Sequence, residues 1–233
     1  MGASRPSGAR PSPNLWHHPE TYEVESRAFD RGGELFSLMW SLAPWADRTV
    51  LDLGCGTGFH LPYFADEAGT VIGVEPHPSM AGLARRRTHR LPNVSVLEGL
   101  SESLPLPPAS VDVVHARWAY FFGPGCEPGL AELDRVVRRG GTAFVIDNDT
   151  TRSTFGGWFA RGYPMIDAVA VERFWSGRGW TRHALDLAWT FDSRSDLEAV
   201  VRIELPTDVA EDVLSAYDGT TVDYAVNLWS RRF

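Results

Sequence analysis

Residues 50–59 read Val50-Leu51-Asp52-Leu53-Gly54-Cys55-Gly56-Thr57-Gly58-Phe59. Apolar residues on both sides of one acid predict a short buried strand, which breaks into glycines at alternate positions and runs on into a helical pattern over 59–66. The glycines leave bare backbone where a ligand can come close, and the following helix offers unpaired N–H groups. The stretch is a strand–turn–helix cradle for a cofactor. A dinucleotide fingerprint places glycines at relative positions 1, 3 and 6, the last for close helix–strand packing. Counted from Gly54, position 3 is Gly56 but position 6 is Phe59. Asp52 also puts a negative charge where a pyrophosphate would lie, whereas a cofactor carrying an ammonium and a sulfonium would be attracted to it.

Outward from the cradle, apolar runs and helical patterns alternate. Strands are predicted over 49–53, 70–75, 93–98, 111–115 and 142–147. Helices are predicted over 59–66, 78–87 and 130–138, the last ended by Gly140-Gly141. Such alternation argues for a parallel sheet built from βαβ units. Residues 20–43 carry apolar positions at helical spacing, divided into two helices by Gly32-Gly33. Beyond Asp149 the pattern changes to a segment dense in Trp, Phe and Tyr. Strands near 182–191 and 222–231 follow it, with helices near 195–202 and 208–217.

Composition bounds the rest. The 233 residues, 43% of them hydrophobic, suffice for one domain with a full core. No apolar run approaches the length of a membrane span. The first fourteen residues, rich in Ser, Pro, Gly and Arg, have no apolar stretch of the kind a secretion signal needs and read as a disordered tail. A net charge of −8 repels a phosphate backbone over most of the surface. Arg85-Arg86-Arg87 with Arg90 is the local exception, read as a solvated helix end. Two cysteines, Cys55 and Cys126, make neither a disulfide framework nor a metal site, which suits a reducing cytoplasm. His17-His18 lacks a third ligand at metal spacing, so no metal is expected.

With its acid and flanks, the cradle resembles motif I of the class I S-adenosylmethionine (SAM) methyltransferases, D-x-G-x-G-x-G. The likeness covers residues 49–149 and is greatest to the ubiquinone/menaquinone-biosynthesis kind, the methyltransferase type 11 group. It implies an α/β, Rossmann-like, seven-stranded, mostly parallel sheet with helices on both faces, an antiparallel last strand and an N-terminal helical lid. The domain plan is then a flexible tail over 1–19 and a single methyltransferase domain over 20–233. Within it, 20–48 form lid helices, 49–149 the SAM-binding core, 150–180 an aromatic insertion serving as substrate lid, and 181–233 the closing strands and helices.

The resemblance also assigns residues. Asp52, Gly54, Cys55, Gly56 and Gly58 form the motif I cradle, and Glu75 with Pro76 ends the second strand where an acid takes both ribose hydroxyls. Leu100, Ser101 and Glu102 stand at the adenine; Leu100 occupies the place where the family usually has an acid. Tyr22 and Arg27 are candidates for the methionine carboxylate. Asp112 opens the fourth strand in a structural role. His115 follows as a cofactor contact or, since a histidine accepts protons at neutral pH, as a general base, with Tyr120 as a second catalytic candidate. Tyr120, Phe121 and Phe122 either wall a pocket or belong to the core. Trp16, Trp118, Tyr120, Phe155 and Trp158 are the acceptor candidates, because aromatic walls suit a planar or lipophilic small molecule.

The implied activity is methyl transfer from SAM to a small organic acceptor in secondary or cofactor metabolism, by a cytoplasmic monomer or homodimer without nucleic-acid or membrane partners. The alternatives are a protein of the same fold that methylates RNA or protein, a non-methylating SAM binder, and a nicotinamide-dependent oxidoreductase.

Overall fold

A computed structural model describes residues 12–120 and 122–233. Residues 1–11 of the expected tail, and Phe121, lie outside the described residues. Seven strands form one sheet: β1 (Thr49–Leu53), β2 (Thr70–Glu75), β3 (Val94–Glu98), β4 (Val111–Arg117), β5 (Val137–Asn148), β6 (Thr181–Thr190) and β7 (Thr221–Arg232). Their order is β3-β2-β1-β4-β5-β7-β6, with β7 alone running antiparallel to its neighbours. The chain reaches one edge at β3 and then crosses back to place β4 beside β1. The strand order therefore reverses between β1 and β4, where sheets of this kind open a crevice at their carboxyl ends. The β1–β4 register sets Asp52 directly opposite His115.

Helices α1 (Pro13–His17), α2 (Pro19–Ala28) and α3 (Glu34–Leu42) precede the sheet, followed by α4 (Leu61–Ala65), α5 (Pro78–Thr88), α6 (Glu127–Val136), α7 (Thr154–Gly162), α8 (Ala168–Ser176), α9 (Arg194–Glu204) and α10 (Thr207–Ala216). Each face of the sheet carries its own apolar layer. One holds Phe36, Met39, Val50, Phe64, Val113, Phe144 and Trp189; the other holds Leu51, Val114, Leu133, Val145, Trp175 and Trp229. The inner strands bury both faces, which is why 143–146 reads as a continuous apolar run and 50–53 as one broken only by Asp52, rather than as alternating patterns.

Three expectations are corrected. The flexible tail does not extend to residue 19: α1 and α2 are helical from Pro13, because Leu15 buries its side chain and Asn14 Nδ2 donates to Glu204 Oε1 at 2.5 Å on the far side of the lid. The helix expected over 130–138 runs from Glu127 to Val136 instead. Gly140-Gly141 does not stop it but lies inside β5. There Gly140 has φ +84°, and a Cβ on Gly141 would sit 2.7 Å from the Asp112 carbonyl oxygen. The register against β4 shifts at this point, and the Gly140 N–H donates to the Phe233 carbonyl at 2.7 Å. The pair is a bulge that lets the end of the chain join the sheet.

The third correction concerns 150–180, where most of the large aromatic side chains are core. Phe155 stacks on Tyr224 at 4.6 Å between ring centroids and meets Trp189 at 4.2 Å, while Trp175 and Trp180 pack beneath β7. α7 and α8 are amphipathic helices whose apolar stripes face the sheet.

The arginine cluster on α5 is more than a solvated end. Arg85 pairs with Glu98 at 2.9 Å, and Arg87 pairs with Glu23 at 2.7 Å while donating to the Thr57 carbonyl. Thr57 Oγ1 donates to Glu23 as well. This clasp ties α2 to the glycine turn.

Candidate active site

The glycine turn spends its N–H groups on the protein itself. Gly54 and Cys55 donate to the Val74 carbonyl at 2.8 and 3.1 Å, Gly58 donates to the Cys55 carbonyl at 2.8 Å, and Gly56 donates to Glu75 Oε2 at 2.9 Å. Gly54, Gly56 and Gly58 all have positive φ. A Cβ on Gly58 would come within 2.9 Å of Ala84 Cβ, so this third glycine sets the packing of α5 rather than touching a ligand. A turn with its donors committed and a carboxylate on either side does not cradle a diphosphate.

Glu75 is 3% exposed. One carboxylate oxygen accepts from Gly56 and the other from the His77 N–H at 2.9 Å, which fixes the carboxylate plane and leaves a lone pair on each oxygen. Burial pushes its pKa up to about 7, against the pull of these two donors.

Above the carboxyl ends of β1, β2 and β4 lies a cleft of about 1020 Å³, counted with the space open to solvent at its mouth. Its walls include Trp16, Tyr22, Gly54, Glu75, Pro76, Leu100, Ser101, Glu102, Trp118 and Tyr120, so the structure unites candidates from five separate stretches of sequence. A smaller cavity, about 380 Å³ on the same count, shares Leu15, Tyr22, Gly54 and Arg117 with the cleft and adds Asp52, Cys55, Gly56, His60 and His115. Here Asp52 Oδ1 lies 2.8 Å from His115 Nδ1, and both side chains are almost fully buried. Asp52 Oδ2 and His115 Nε2 have no partner among the described residues.

Several assignments change once the side chains are placed. Arg27 points to solvent, 3.9 Å from Glu23, and lines neither cavity. Arg117, which sequence reading passed over, lines both cavities instead. The guanidinium lies 5.1 Å from the Phe29 ring and 4.4 Å from the Trp118 ring; Nη2 donates to Ser26 Oγ at 3.2 Å, and Nη1 is buried without a partner among the described residues. A signal was present, because residues two apart on a strand share a face and Arg117 follows His115 by two. Arg27→Ala is accordingly expected to change SAM affinity by less than about twofold, as befits an exposed pair; titration calorimetry measures it.

Tyr120 walls the cleft, but its hydroxyl is engaged with the Gly129 carbonyl at 3.4 Å and burial raises its pKa well above the ordinary value, so it is poorly suited to proton transfer. His115 lies two residues below the end of β4, walled by Phe36, His60 and Phe64 at 5.3–5.8 Å between ring centroids. Phe155 is fully buried, and Trp158 packs edge-on against Tyr217 at 5.1 Å; neither reaches the cleft. Trp118, at φ +51°, is held there by its indole N–H on Asn148 Oδ1 at 3.0 Å. Cys126 also lines the cleft, and burial pushes its thiol up to about 12.

A Rossmann-like sheet whose switch point opens beside an acid-flanked glycine turn and a buried carboxylate is the architecture of nucleoside-cofactor-binding proteins. Residues 51–145 match the family described as Methyltransferase domain. An uncharacterised methyltransferase of Mycobacterium tuberculosis is 35% identical over 136 residues, 56% of this chain and 52% of its own length. The cypemycin N-terminal methyltransferase of a Streptomyces species is 31% identical over 152 residues, 63% of this chain and 61% of its own. A crystal structure of a SAM-dependent methyltransferase from Aquifex aeolicus superimposes with a TM-score of 0.58 at 17% identity, covering 91% of this chain and 97% of that one. Over these residues the chain is similar to methyltransferase domains, and its fold is that of the SAM-dependent methyltransferase superimposed on it. The matched stretch spans about half the length of the Mycobacterium relative.

Proposed function

We propose that the protein transfers the methyl group of SAM to a small organic acceptor. The observation that carries this reading is the pair of opposite, unpartnered charged atoms in the inner cavity, Asp52 Oδ2 and Arg117 Nη1, set beside a glycine turn and the Glu75 carboxylate. An ammonium and a sulfonium meet two acids there, and ribose hydroxyls find the free lone pairs of Glu75. Leu100 offers an apolar surface for the adenine ring. Ser101 and Glu102 stand at the rim, where the Ser101 hydroxyl donates to Glu102 at 2.8 Å.

Bound SAM supplies an activated methyl group on a sulfonium. The chain's task is to align donor and acceptor and to keep water out. Leu15 and Trp16 on α1 and Tyr22 on α2 roof the cleft, while Trp118 and Tyr120 wall it. The amount of aromatic surface favours a planar or lipophilic acceptor in secondary or cofactor metabolism. Free thiols at Cys55 and Cys126 suit a reducing compartment. Among the described residues no helix is long and apolar enough to cross a membrane. A peptide amine is the second reading for the acceptor, favoured by the likeness to a relative named as an N-terminal methyltransferase.

Calorimetric titration tests the cofactor. Saturable binding of SAM and of S-adenosylhomocysteine, with none of NAD, is the expected result; saturation by NAD alone would overturn the reading. Release of radiolabelled methyl groups into small aromatic acceptors, and not into peptides, tests the acceptor class.

A further inference from the structure

A further cavity opens on the face of the sheet that α8 covers. It measures about 510 Å³, counted like the others with the space open to solvent, and falls in the size range of small-molecule pockets. Phe122, Val171 and Trp229 give it apolar walls, and Asp149, Arg182 and Asn227 give it polar ones. Val169, an apolar side chain 64% exposed, lines it as well. This space shares a wall with the cleft. Trp118 lines the cleft, Asn148 lines the further cavity, and the indole N–H of the first donates to Oδ1 of the second at 3.0 Å.

Strand register sets the floor. Asp147 on β5 stands opposite Asn227 on β7, and Trp229 on β7 stands opposite Arg182 on β6. Opposite residues of an antiparallel pair share a face, as do residues two apart on one strand. Asp147, Asn227, Trp229 and Arg182 therefore point the same way, and the first three are more than nine-tenths buried. The ion pairs of this region close without Asp147. Arg182 holds Asp149 at 2.9 Å and Glu172 at 3.3 Å, while Arg152 holds Asp149 and Asp186, each at 3.1 Å. Arg182 also donates to Asn227 Oδ1 at 2.7 Å. The Phe122 N–H acts on the Asp147 carboxyl, yet neither of its oxygens completes a hydrogen bond among the described residues, and neither does Trp229 Nε1. A buried carboxylate without counter-charge or donor is costly to keep. Here it adjoins an open cavity whose own charges, Asp149 and Glu172 against Arg182, already lean negative.

We propose that this cavity takes the acceptor by a protonated amine seated at Asp147, with the apolar body of the molecule between Phe122 and Trp229 and its far end passing Trp118 into the cleft. The acceptor class is thus a small amine-bearing molecule with an aromatic or otherwise apolar body. A protonated nitrogen has no lone pair with which to attack a methyl group, so this amine is a handle and the methylated atom is another one. Asp147 then decides specificity and takes no part in the transfer itself. This rests on the SAM reading above and names the acceptor for it.

The probe is tyramine, a phenol carrying an amine, set against 4-hydroxyphenylpropionate, which has a similar size but ends in a carboxylate. Each is titrated calorimetrically into protein saturated with S-adenosylhomocysteine at pH 8. There the amine is cationic, and the Asp147 carboxyl, which burial raises to about 7, is ionised. Tyramine is expected to bind saturably and 4-hydroxyphenylpropionate not at all. Asp147→Asn, which keeps the shape and removes the charge, should weaken tyramine about tenfold or more, as for loss of a hydrogen bond to a charged group. Ala168→Trp, which fills the cavity from α8, should abolish binding. Both variants should bind S-adenosylhomocysteine as wild type does, which reports an intact fold; if one of them loses it, the other decides. Inter-ligand nuclear Overhauser contacts between the tyramine ring and S-adenosylhomocysteine are expected, because the handle directs the far end of the probe to the cleft.

No tyramine binding, equal binding of the two probes, or tyramine affinity unchanged in the variants would overturn the amine site. Binding without Overhauser contacts would overturn its role in holding the acceptor. Wild type that does not bind S-adenosylhomocysteine would instead sink the SAM reading itself, while tyramine titrated alone would still report on the cavity.

Discussion

Glu75→Ala is expected to weaken S-adenosylhomocysteine binding by roughly 1–3 kcal/mol, about 5- to 150-fold, the range for losing hydrogen bonds to a charged group. The loss has two sources. The ribose would lose its acceptors, and the Gly56 and His77 N–H groups would lose theirs, loosening the turn that shapes the cleft. Glu75→Gln separates them. An amide keeps the shape but meets one of the two N–H groups with its own NH₂, so it should recover only part of the affinity. The same variant carries a pH signature. The native pKa of about 7 lies above the ordinary 4.5, so the folded state holds more protons than the unfolded chain between those values. Stability therefore falls as pH rises from about 4.5 to 7 and levels off beyond, by up to roughly 3 kcal/mol for a shift of this size. Glu75→Gln should flatten that slope. Denaturant melts at several pH values measure it, and a wild-type slope retained in the variant would remove Glu75 as its cause.

Phe155→Ala should have the larger effect on stability and the smaller one on the cofactor. The side chain is fully buried between Tyr224 and Trp189, and truncating a core Phe costs about 3–5 kcal/mol through lost transfer energy and the cavity left behind. Its role is packing, so S-adenosylhomocysteine affinity measured at a temperature where the variant stays folded should match wild type. A variant of native stability with altered binding would return Phe155 to the acceptor site. The corresponding contrast for the cleft is Trp118, which a turn at positive φ holds against the space that Phe155 never reaches.

Much of the sheet was legible because the physics that forms it is local. A strand buried on both faces is mostly apolar, and β1 and β2 begin and end where their runs do, each broken only by the residues that serve the turn and the cleft. The turn was equally clear, since three positive-φ positions call for glycine. Legibility failed where one local pattern serves two tertiary ends. Gly140-Gly141 carries the signal of a helix stop, yet here it forms a strand bulge, because the partner that requires it, Phe233, is nearly a hundred residues away in sequence. The aromatic density of 150–180 looks alike whether it roofs a ligand or fills a core; only the arrival of β7 beneath α7 decides for Phe155.

The candidate site divides in the same way. The sequence by itself determined the glycine turn with its acid, and Glu75 at the end of the next strand, because each depends on residue type at fixed spacing along neighbouring strands. Tertiary structure alone decided which cation faces the cavity. Arg27 and Arg117 have the same chemistry, but α2 turns the first to water while the β4 register carries the second to the cavity that holds Asp52 and His115.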